Sequence, residues 1–504
     1  MKAHIDIPEV FLPRWRWAIW TGVAFFLLLI AGWATSPLSM YAGNDSVVYR
    51  LVGSCWLRGD VPYVDIFDNK GPYLYFFEMI GEWIGGGSKW GIFILQVINL
   101  GCVIEMLYRI GHFITHKRAH LAIGFLVFAL FYVITIQGGN LSEDWSLAFL
   151  ILPFWLALRR IDDFRNRREP RKYGFVYGLC FGIVALIRLN NTFMIVGIVL
   201  GLGYLLAKDK RWKELWQDAL MFVVGTIVAV LPMLIYFICV DGLYEAIYCQ
   251  FIYNLKYAEI WPQISEMSYA RNMMMLIPCI LTMVVSVIYD LRSWHHYSVI
   301  ILPTAAVFFC AFLSGSGFAH YFALLSILVF IMTVMAMSLG KWIALASIAI
   351  LLCNSEYYRH AQELVTISAK EFSINHLNGK YAYYSGAVNS IPHEERNDIF
   401  AYNISLSKNI IFLYSKTTPA MRVSYLSEEV EMVDPRIKKE IEDYMIHNRP
   451  LWIVTEPTEK DNPIFDSMLN DYDKKFRIGN MTLYRLKVKD EKKRRIICKE
   501  VYDS

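Results

Sequence analysis

Long apolar segments dominate this chain of 504 residues, and they constrain its fold more than any other feature. A helix needs about 20 mostly apolar residues to cross the hydrocarbon core of a bilayer. Segments close to that length lie near residues 17–35, 90–113, 119–136, 145–159, 173–187, 191–207, 219–240, 272–289, 297–313, 320–338 and 341–354. The sequence therefore predicts a polytopic α-helical membrane protein with about 11 transmembrane helices.

One further apolar run, at 72–85, is short, contains Glu78 and Glu82, and ends in three glycines. Runs of about 14 residues are more often interfacial than membrane-spanning, so we predict a juxtamembrane helix there. With a cytoplasmic N-terminus, the basic short loops then all face the cytoplasm, as the positive-inside rule requires. If 72–85 crossed the membrane instead, the arginine-rich loop 159–172 would face outwards.

The membrane-length runs stop after residue 354. Short apolar stretches such as 410–414 and 451–454 alternate there with polar segments of helical pattern, which is typical of a small α/β domain. We therefore predict a membrane domain at 1–354 and a soluble domain with a basic tail at 355–504. An odd number of spans places the soluble domain on the extracytoplasmic side of the cytoplasmic (inner) membrane.

Charge and cysteine content narrow the functional classes. The net charge is only +4, and the basic residues sit mainly in short loops and the C-terminal tail, so we expect no nucleic-acid partner. The nine cysteines include no CxxC pair, and most lie in apolar segments. We therefore expect neither a disulfide framework nor a zinc site.

Charged residues follow the first predicted span directly, where charge is costly and usually functional. Asp45 precedes a segment of helical pattern, and Lys70 stands just before Gly71-Pro72. Because Pro72 suits the first position of a helix, Lys70 is expected beside a helix N-terminus, which favours anion binding. Simpler explanations are a capping role for Asp45 and an interfacial location for the Lys70 ammonium. Asp65 and Asp68 fit turn chemistry.

These motifs together resemble the first extracytoplasmic loop of bacterial GT-C glycosyltransferases of the family 39 type. Relatives in that family include protein O-mannosyltransferases and the lipid A aminoarabinose transferase. The resemblance rests on Asp45, Trp56-Leu57-Arg58-Gly59, Pro62-Tyr63, Asp65-Ile66-Phe67 and Lys70-Gly71-Pro72. It implies that Asp45 is catalytic and that Lys70 contacts the phosphate of a polyprenyl phosphate, and we add Tyr63 as a substrate-binding candidate. Glycine replaces the first proline of many relatives, a change that we expect to be tolerated.

Two later segments are similar to the same family. Glu143 and Asp144 stand where relatives carry a second acidic residue, and either one fits; Asp144 would also suit a helix cap. His320-Tyr321 resembles a His-Tyr element at the start of a late span, although an interfacial histidine is the simpler explanation. Arg188 lies on the non-cytoplasmic side against the positive-inside rule, so we expect an anion beside it.

The resemblance implies transfer of a sugar from a polyprenyl-phosphate-linked donor to a glycan, lipid or protein acceptor, among membrane lipids, on the extracytoplasmic face. Asp45 would be the base, with Glu143 or Asp144 positioning the acceptor. Lys70 and Arg188 would stabilise the departing phosphate, and displacement in one step would invert the anomeric centre. We expect no required cofactor, and a divalent metal beside the carboxylates is compatible with this chemistry. The alternatives are a transporter or flippase of lipid-linked saccharides, and a non-catalytic membrane subunit.

Overall fold

A computed structural model describes residues 15–39, 43–166, 173–264, 269–313, 318–371, 390–404, 406–424, 428–457, 462–478 and 481–487. Helices dominate the described residues up to residue 371. They are α1 (Arg16–Ala31), α2 (Asp45–Leu57), α3 (Pro72–Gly85), α4 (Lys89–Ile114), α5 (Arg118–Thr135), α6 (Ser142–Arg165), α7 (Gly174–Ala185), α8 (Phe193–Lys208), α9 (Trp212–Cys239), α10 (Leu243–Ile247), α11 (Tyr253–Ile264), α12 (Tyr269–Met275), α13 (Ile277–Ser293), α14 (Ser298–Leu313), α15 (Ser326–Leu339), α16 (Lys341–Leu352) and α17 (Ser355–Glu371). Short 3-10 turns at Leu189–Thr192 and Ala319–Leu325 precede α8 and α15, and a π-helical turn at Tyr248–Ile252 joins α10 to α11.

Each apolar run predicted to span the membrane corresponds to one of these helices. Within the described residues, five helices are long and apolar enough to cross a bilayer. They are α4, α5 and α9, together with α8 and α15 when each is counted with its preceding 3-10 turn. Shorter apolar helices are α1, α7, α14 and α16. The polytopic helical membrane fold is thereby confirmed, and the number of spans stays a prediction.

Helix α15 forms the centre of the membrane domain. Its residues 326–336 are all buried, and it packs against α5, α13 and α16. Helix α9 is the opposite case, because it exposes a long row of large apolar side chains while its other side packs along α7. Exposed apolar area of that extent on a membrane-length helix marks a lipid-facing position.

Helix α3 begins and ends as its sequence predicts. Pro72 occupies its first position, and Gly86 ends it in the left-handed conformation (φ +56°). Its glycines and those of its neighbours allow close packing, since a Cβ on Gly53 of α2 would lie 2.6 Å from Cβ of Glu78. Helices α2 and α4 thus both pack against α3.

The C-terminal part has the α/β character predicted for it. Strands β1 (Ile399–Tyr402), β2 (Trp452–Thr455), β3 (Tyr472–Ile478) and β4 (Met481–Leu486) form a sheet in the order β1-β2-β4-β3, parallel only between β1 and β2. Helices α18 (Ile410–Ser415), α19 (Glu428–Val433), α20 (Pro435–His447) and α21 (Pro463–Leu469) accompany it. Its buried apolar residues join those of α2 and the first loop in one continuous core. The C-terminal α/β region therefore packs directly on the loop that carries Lys70.

Candidate active site

Asp45 is the first residue of α2, and its side chain is half-buried. The capping position belongs to Asn44, so Asp45 is not the capping residue itself. One helical turn later, the Tyr49 hydroxyl donates to Asp45 Oδ2 at 3.4 Å. Burial, reinforced by the charges of Asp45, Asp68 and Glu143, raises the pKa of Tyr49 well above its usual value. The Tyr49 hydroxyl consequently keeps its proton and remains a donor to Asp45.

Lys70 is also half-buried, and its backbone is fixed on both sides by tyrosines. Its N–H donates to the Tyr75 hydroxyl at 3.0 Å, and its carbonyl accepts from the Tyr63 hydroxyl at 2.6 Å. The ammonium donates to Asn69 Oδ1 at 2.7 Å and lies 5.9 Å from the centre of the Tyr49 ring. Because Asn69 is neutral, these contacts orient the Lys70 charge without cancelling it.

The N-terminus of α3 contributes less to an anion site than the sequence suggested. Gly71 N–H donates to the carbonyl of Ile187 at 2.9 Å, and Tyr73 N–H donates to that of Leu186 at 2.9 Å. These donors are therefore used by the α7–α8 connection, which leaves the Lys70 ammonium as the group that can meet an anion. A Cβ at position 71 would lie 2.2 Å from the Leu186 carbonyl oxygen, so glycine is required here and not merely tolerated.

Arg188 and Glu143 form a tight ion pair. The Nη1–Oε1 distance is 2.5 Å, with Glu143 fully buried and 16% of the Arg188 side chain exposed. The Arg188 guanidinium also lies over the Tyr321 ring, 4.0 Å from its centre, and the His320 ring meets Tyr321 edge-on at 4.5 Å. The anion expected beside Arg188 is thus a carboxylate of the protein itself.

The structure separates the two acidic neighbours. Glu143 points toward Arg188, whereas Asp144 Oδ2 accepts from Leu141 N–H at 3.2 Å and caps the start of α6. Asp144 therefore caps α6, as its sequence position allowed, and Glu143 is the one of the two that contacts Arg188; a role in the reaction for either residue stays a prediction. His320 Nδ1 is 2.8 Å from the side-chain oxygen of the exposed Gln137, at the rim of the same region.

Tyr63 is fully buried, and its hydroxyl donates to the Lys70 carbonyl; a contact with substrate stays a prediction. Asp65 makes the expected turn, accepting from Val61 N–H at 2.7 Å. Asp68 does more than a turn residue, because it is buried and accepts from the Tyr75 hydroxyl at 2.7 Å. Burial raises the pKa of Asp68, and the nearby Lys70 charge offsets part of that effect.

Tyr49 is the residue that the sequence reasoning did not select. It contacts both Asp45 and Lys70, and the charges of Glu143 and Arg188 act on its hydroxyl as well. Its position four residues after Asp45 on one helix face was the available signal. Across the described ranges, no group of three or more His, Cys, Asp or Glu side chains is placed to hold a metal ion.

Comparison with known proteins places this geometry in context. Residues 69–236 match the sequence profile of the dolichyl-phosphate-mannose-protein mannosyltransferase family. The crystal structure of ArnT from Cupriavidus metallidurans bound to undecaprenyl phosphate is similar, with 12% identity, a TM-score of 0.53, and coverage of 93% of this chain and 97% of that one. The Archaeoglobus fulgidus oligosaccharyltransferase complex with Zn and sulfate shows 14% identity, a TM-score of 0.49, and coverage of 90% and 73%. Curated protein sequences gave no match.

At such identity the structural similarity shows the fold, and the profile match adds a sequence signal over the segment that begins beside Lys70. The chain thus carries the GT-C fold and, over residues 69–236, the pattern of the dolichyl-phosphate-mannose-protein mannosyltransferase family, which confirms its resemblance to family 39 glycosyltransferases.

Proposed function

We propose that this protein transfers a sugar from a polyprenyl-phosphate-linked donor to an acceptor hydroxyl at the extracytoplasmic face of the cytoplasmic membrane. The observation that carries the proposal is the placement of two half-buried groups, a carboxylate at Asp45 and an ammonium at Lys70, against one buried phenol at Tyr49. The similarity in fold to an ArnT structure that contains undecaprenyl phosphate supports a lipid phosphate as the carrier.

In this mechanism, the acceptor oxygen bonds to the anomeric carbon while its proton passes to Asp45. The bond from the anomeric carbon to the phosphate oxygen breaks, and its electron pair remains on the departing polyprenyl phosphate. The Lys70 ammonium stabilises that negative charge, and its fixed backbone means that little reorganisation is needed during the reaction. A displacement in one step inverts the configuration of the sugar.

Asp45 is a better candidate for the base than Glu143 because of what each carboxylate contacts. A guanidinium that binds a carboxylate occupies an oxygen that a base would offer to the acceptor hydroxyl. Glu143 is held by Arg188 at 2.5 Å, whereas Asp45 accepts a hydrogen bond from the neutral Tyr49 hydroxyl at 3.4 Å. We therefore assign Glu143 and Arg188 to shaping the acceptor side of the site, with Tyr321 and His320 beside them.

The test compares Asp45→Asn with Asp65→Asn, a matched change on the same loop that alters an exposed turn carboxylate. Cell-surface glycans are compared by mass spectrometry in cells that express the parent protein, each variant, or none. Loss of the base is expected to reduce transfer about 10²- to 10⁴-fold, with normal thermal stability in detergent. Asp65→Asn is expected to retain the product. Unaltered glycan product with Asp45→Asn would exclude Asp45 as the base.

A further inference from the structure

Arg422 of the C-terminal domain contacts the segment 63–67 of the loop that carries Lys70. We propose that Arg422 is a positioning residue for the donor phosphate site, acting on Lys70 through Tyr63 and Phe67. This inference rests on the proposed function, because it assumes that Lys70 meets the phosphate of the lipid-linked donor.

Arg422 contacts the loop with both its backbone and its side chain. Its carbonyl accepts from Phe67 N–H at 2.8 Å, and its Nη1 donates to the Tyr63 carbonyl at 3.3 Å. The guanidinium also lies 5.8 Å from the centre of the Phe67 ring. Two hydrogen bonds of 2.6 Å to Glu440 of α20 fix the guanidinium plane from the other side. Arg422 is therefore a rigid connection between the soluble domain and residues 63–67.

The connection continues from Tyr63 to Lys70. Tyr63 adopts a left-handed backbone conformation (φ +72°), which is unfavourable for a tyrosine and requires support from its surroundings. Support comes from Arg422 at its carbonyl and from Ile66, whose carbonyl accepts Tyr63 N–H at 2.8 Å. In this conformation the Tyr63 hydroxyl reaches the Lys70 carbonyl at 2.6 Å. Loss of the Arg422 contact is therefore expected to loosen Tyr63 and, through it, Lys70.

Neighbouring contacts hold the soluble domain in the same place. Thr418 bonds to Asp60 at the start of the loop, and the Tyr248 hydroxyl donates to Asp434 at 2.5 Å. A contact from the membrane-domain side acts on the same loop, since Asn254 Nδ2 donates to the Asn69 carbonyl at 2.7 Å. Among the contacts that come from the C-terminal domain, the one made by Arg422 leads to Lys70, through Tyr63, while Asn254 reaches Lys70 from the other side through Asn69.

The experiment measures binding of undecaprenyl phosphate to the purified full chain in detergent, together with hydrogen exchange of residues 60–71 by mass spectrometry. Arg422→Ala is expected to weaken binding about tenfold and to speed exchange in this segment. Arg449→Ala is the matched control, since it breaks an ion pair to Asp471 within the soluble domain. It is expected to leave both measurements at the parent values.

Two further variants separate the possible failures. Lys70→Ala is expected to abolish binding; parent-like binding would overturn the proposed phosphate site, and this inference with it. Loss of binding in Lys70→Ala with parent-like binding in Arg422→Ala would overturn the role of Arg422 alone. If Arg422→Ala does not fold, Tyr63→Phe decides the matter, because it removes only the hydroxyl that holds Lys70. Parent-like binding by Tyr63→Phe would then overturn the inference.

Discussion

Gly71→Ala adds a single methyl group, yet we expect it to damage the site. An ideal Cβ at this position would lie 2.2 Å from the carbonyl oxygen of Leu186 and 2.9 Å from Nε2 of Gln250. The carbonyl cannot simply turn away, because it accepts the Tyr73 N–H at 2.9 Å. The strain therefore falls on the segment that contains Lys70.

The size of the effect follows from these distances. Ordinary contact begins near 3.4 Å, so the gap from Cβ to the Leu186 oxygen, 2.2 Å as built, must open by about 1.2 Å. Overpacking of this kind costs about 1–3 kcal/mol. A displacement of about 1 Å in a binding group can lower the rate of a reaction about 100-fold. We expect Gly71→Ala to reduce transfer at least tenfold and to lower the apparent melting temperature by several degrees.

The assay measures thermal unfolding in detergent and undecaprenyl phosphate binding on the same preparations, and transfer is measured as glycan product in cells that express each variant. Gly22→Ala is the matched control, because a Cβ at this position in α1 meets nothing within 4 Å. Alanine is favoured over glycine in a helix interior by about 0.5–1 kcal/mol, so the control should be at least as stable as the parent. Parent-like stability and binding in Gly71→Ala would refute the reasoning about close packing around Lys70.

Three other expectations concern neighbouring groups. Tyr49→Phe removes the hydrogen bond to Asp45 but keeps the ring. We expect kcat to fall about fivefold while the donor KM stays unchanged; a rise in donor KM as large as the fall in kcat would argue against this role. Glu143→Gln leaves Arg188 without its counter-ion and should lower the free energy of unfolding by about 3 kcal/mol in a denaturant titration, whereas an unchanged midpoint would contradict a buried pair. Burial raises the pKa of Glu78 from 4.5 to about 8, so the folded protein retains a proton there that the unfolded chain releases. Stability should therefore fall as the pH rises from about 4.5 to about 8, and melting curves of Glu78→Gln should lack this part of the pH dependence.

The sequence predicted the parts of the fold that depend on local pattern. Membrane-length apolar runs predicted the helices of the membrane domain, and Pro72 with the glycines after residue 84 predicted both ends of α3. Such signals are readable because helix length, proline and glycine act within a few residues of one another. Alternation of apolar and polar segments was likewise enough to predict the α/β character of the C-terminal region.

The contacts that build the site could not be predicted in the same way. Lys70 is held by Tyr63 and Tyr75 within a few residues, but the Leu186 carbonyl and Arg422 act on its loop from more than 100 positions away. No periodicity links such residues, since the contacts arise only when helices pack. The sequence could not distinguish Glu143 from Asp144 for the same reason. The two acidic residues are adjacent, and only the folded helix directs one side chain to Arg188 and the other to Leu141 N–H.

Tyr49 contacts both Asp45 and Lys70, which are not paired with each other, and this arrangement matters for the proposed chemistry. A direct ion pair between the two would neutralise both, since the carboxylate would lose basicity and the ammonium would lose attraction for phosphate. In the described structure they do not pair; the Tyr49 hydroxyl binds the carboxylate at 3.4 Å, and its ring faces the ammonium at 5.9 Å. Arg188, by contrast, is already paired with a carboxylate at 2.5 Å. In the proposed mechanism, an incoming phosphate therefore gains more from Lys70 than from Arg188, which would direct the leaving group to Lys70 and the acceptor proton to Asp45.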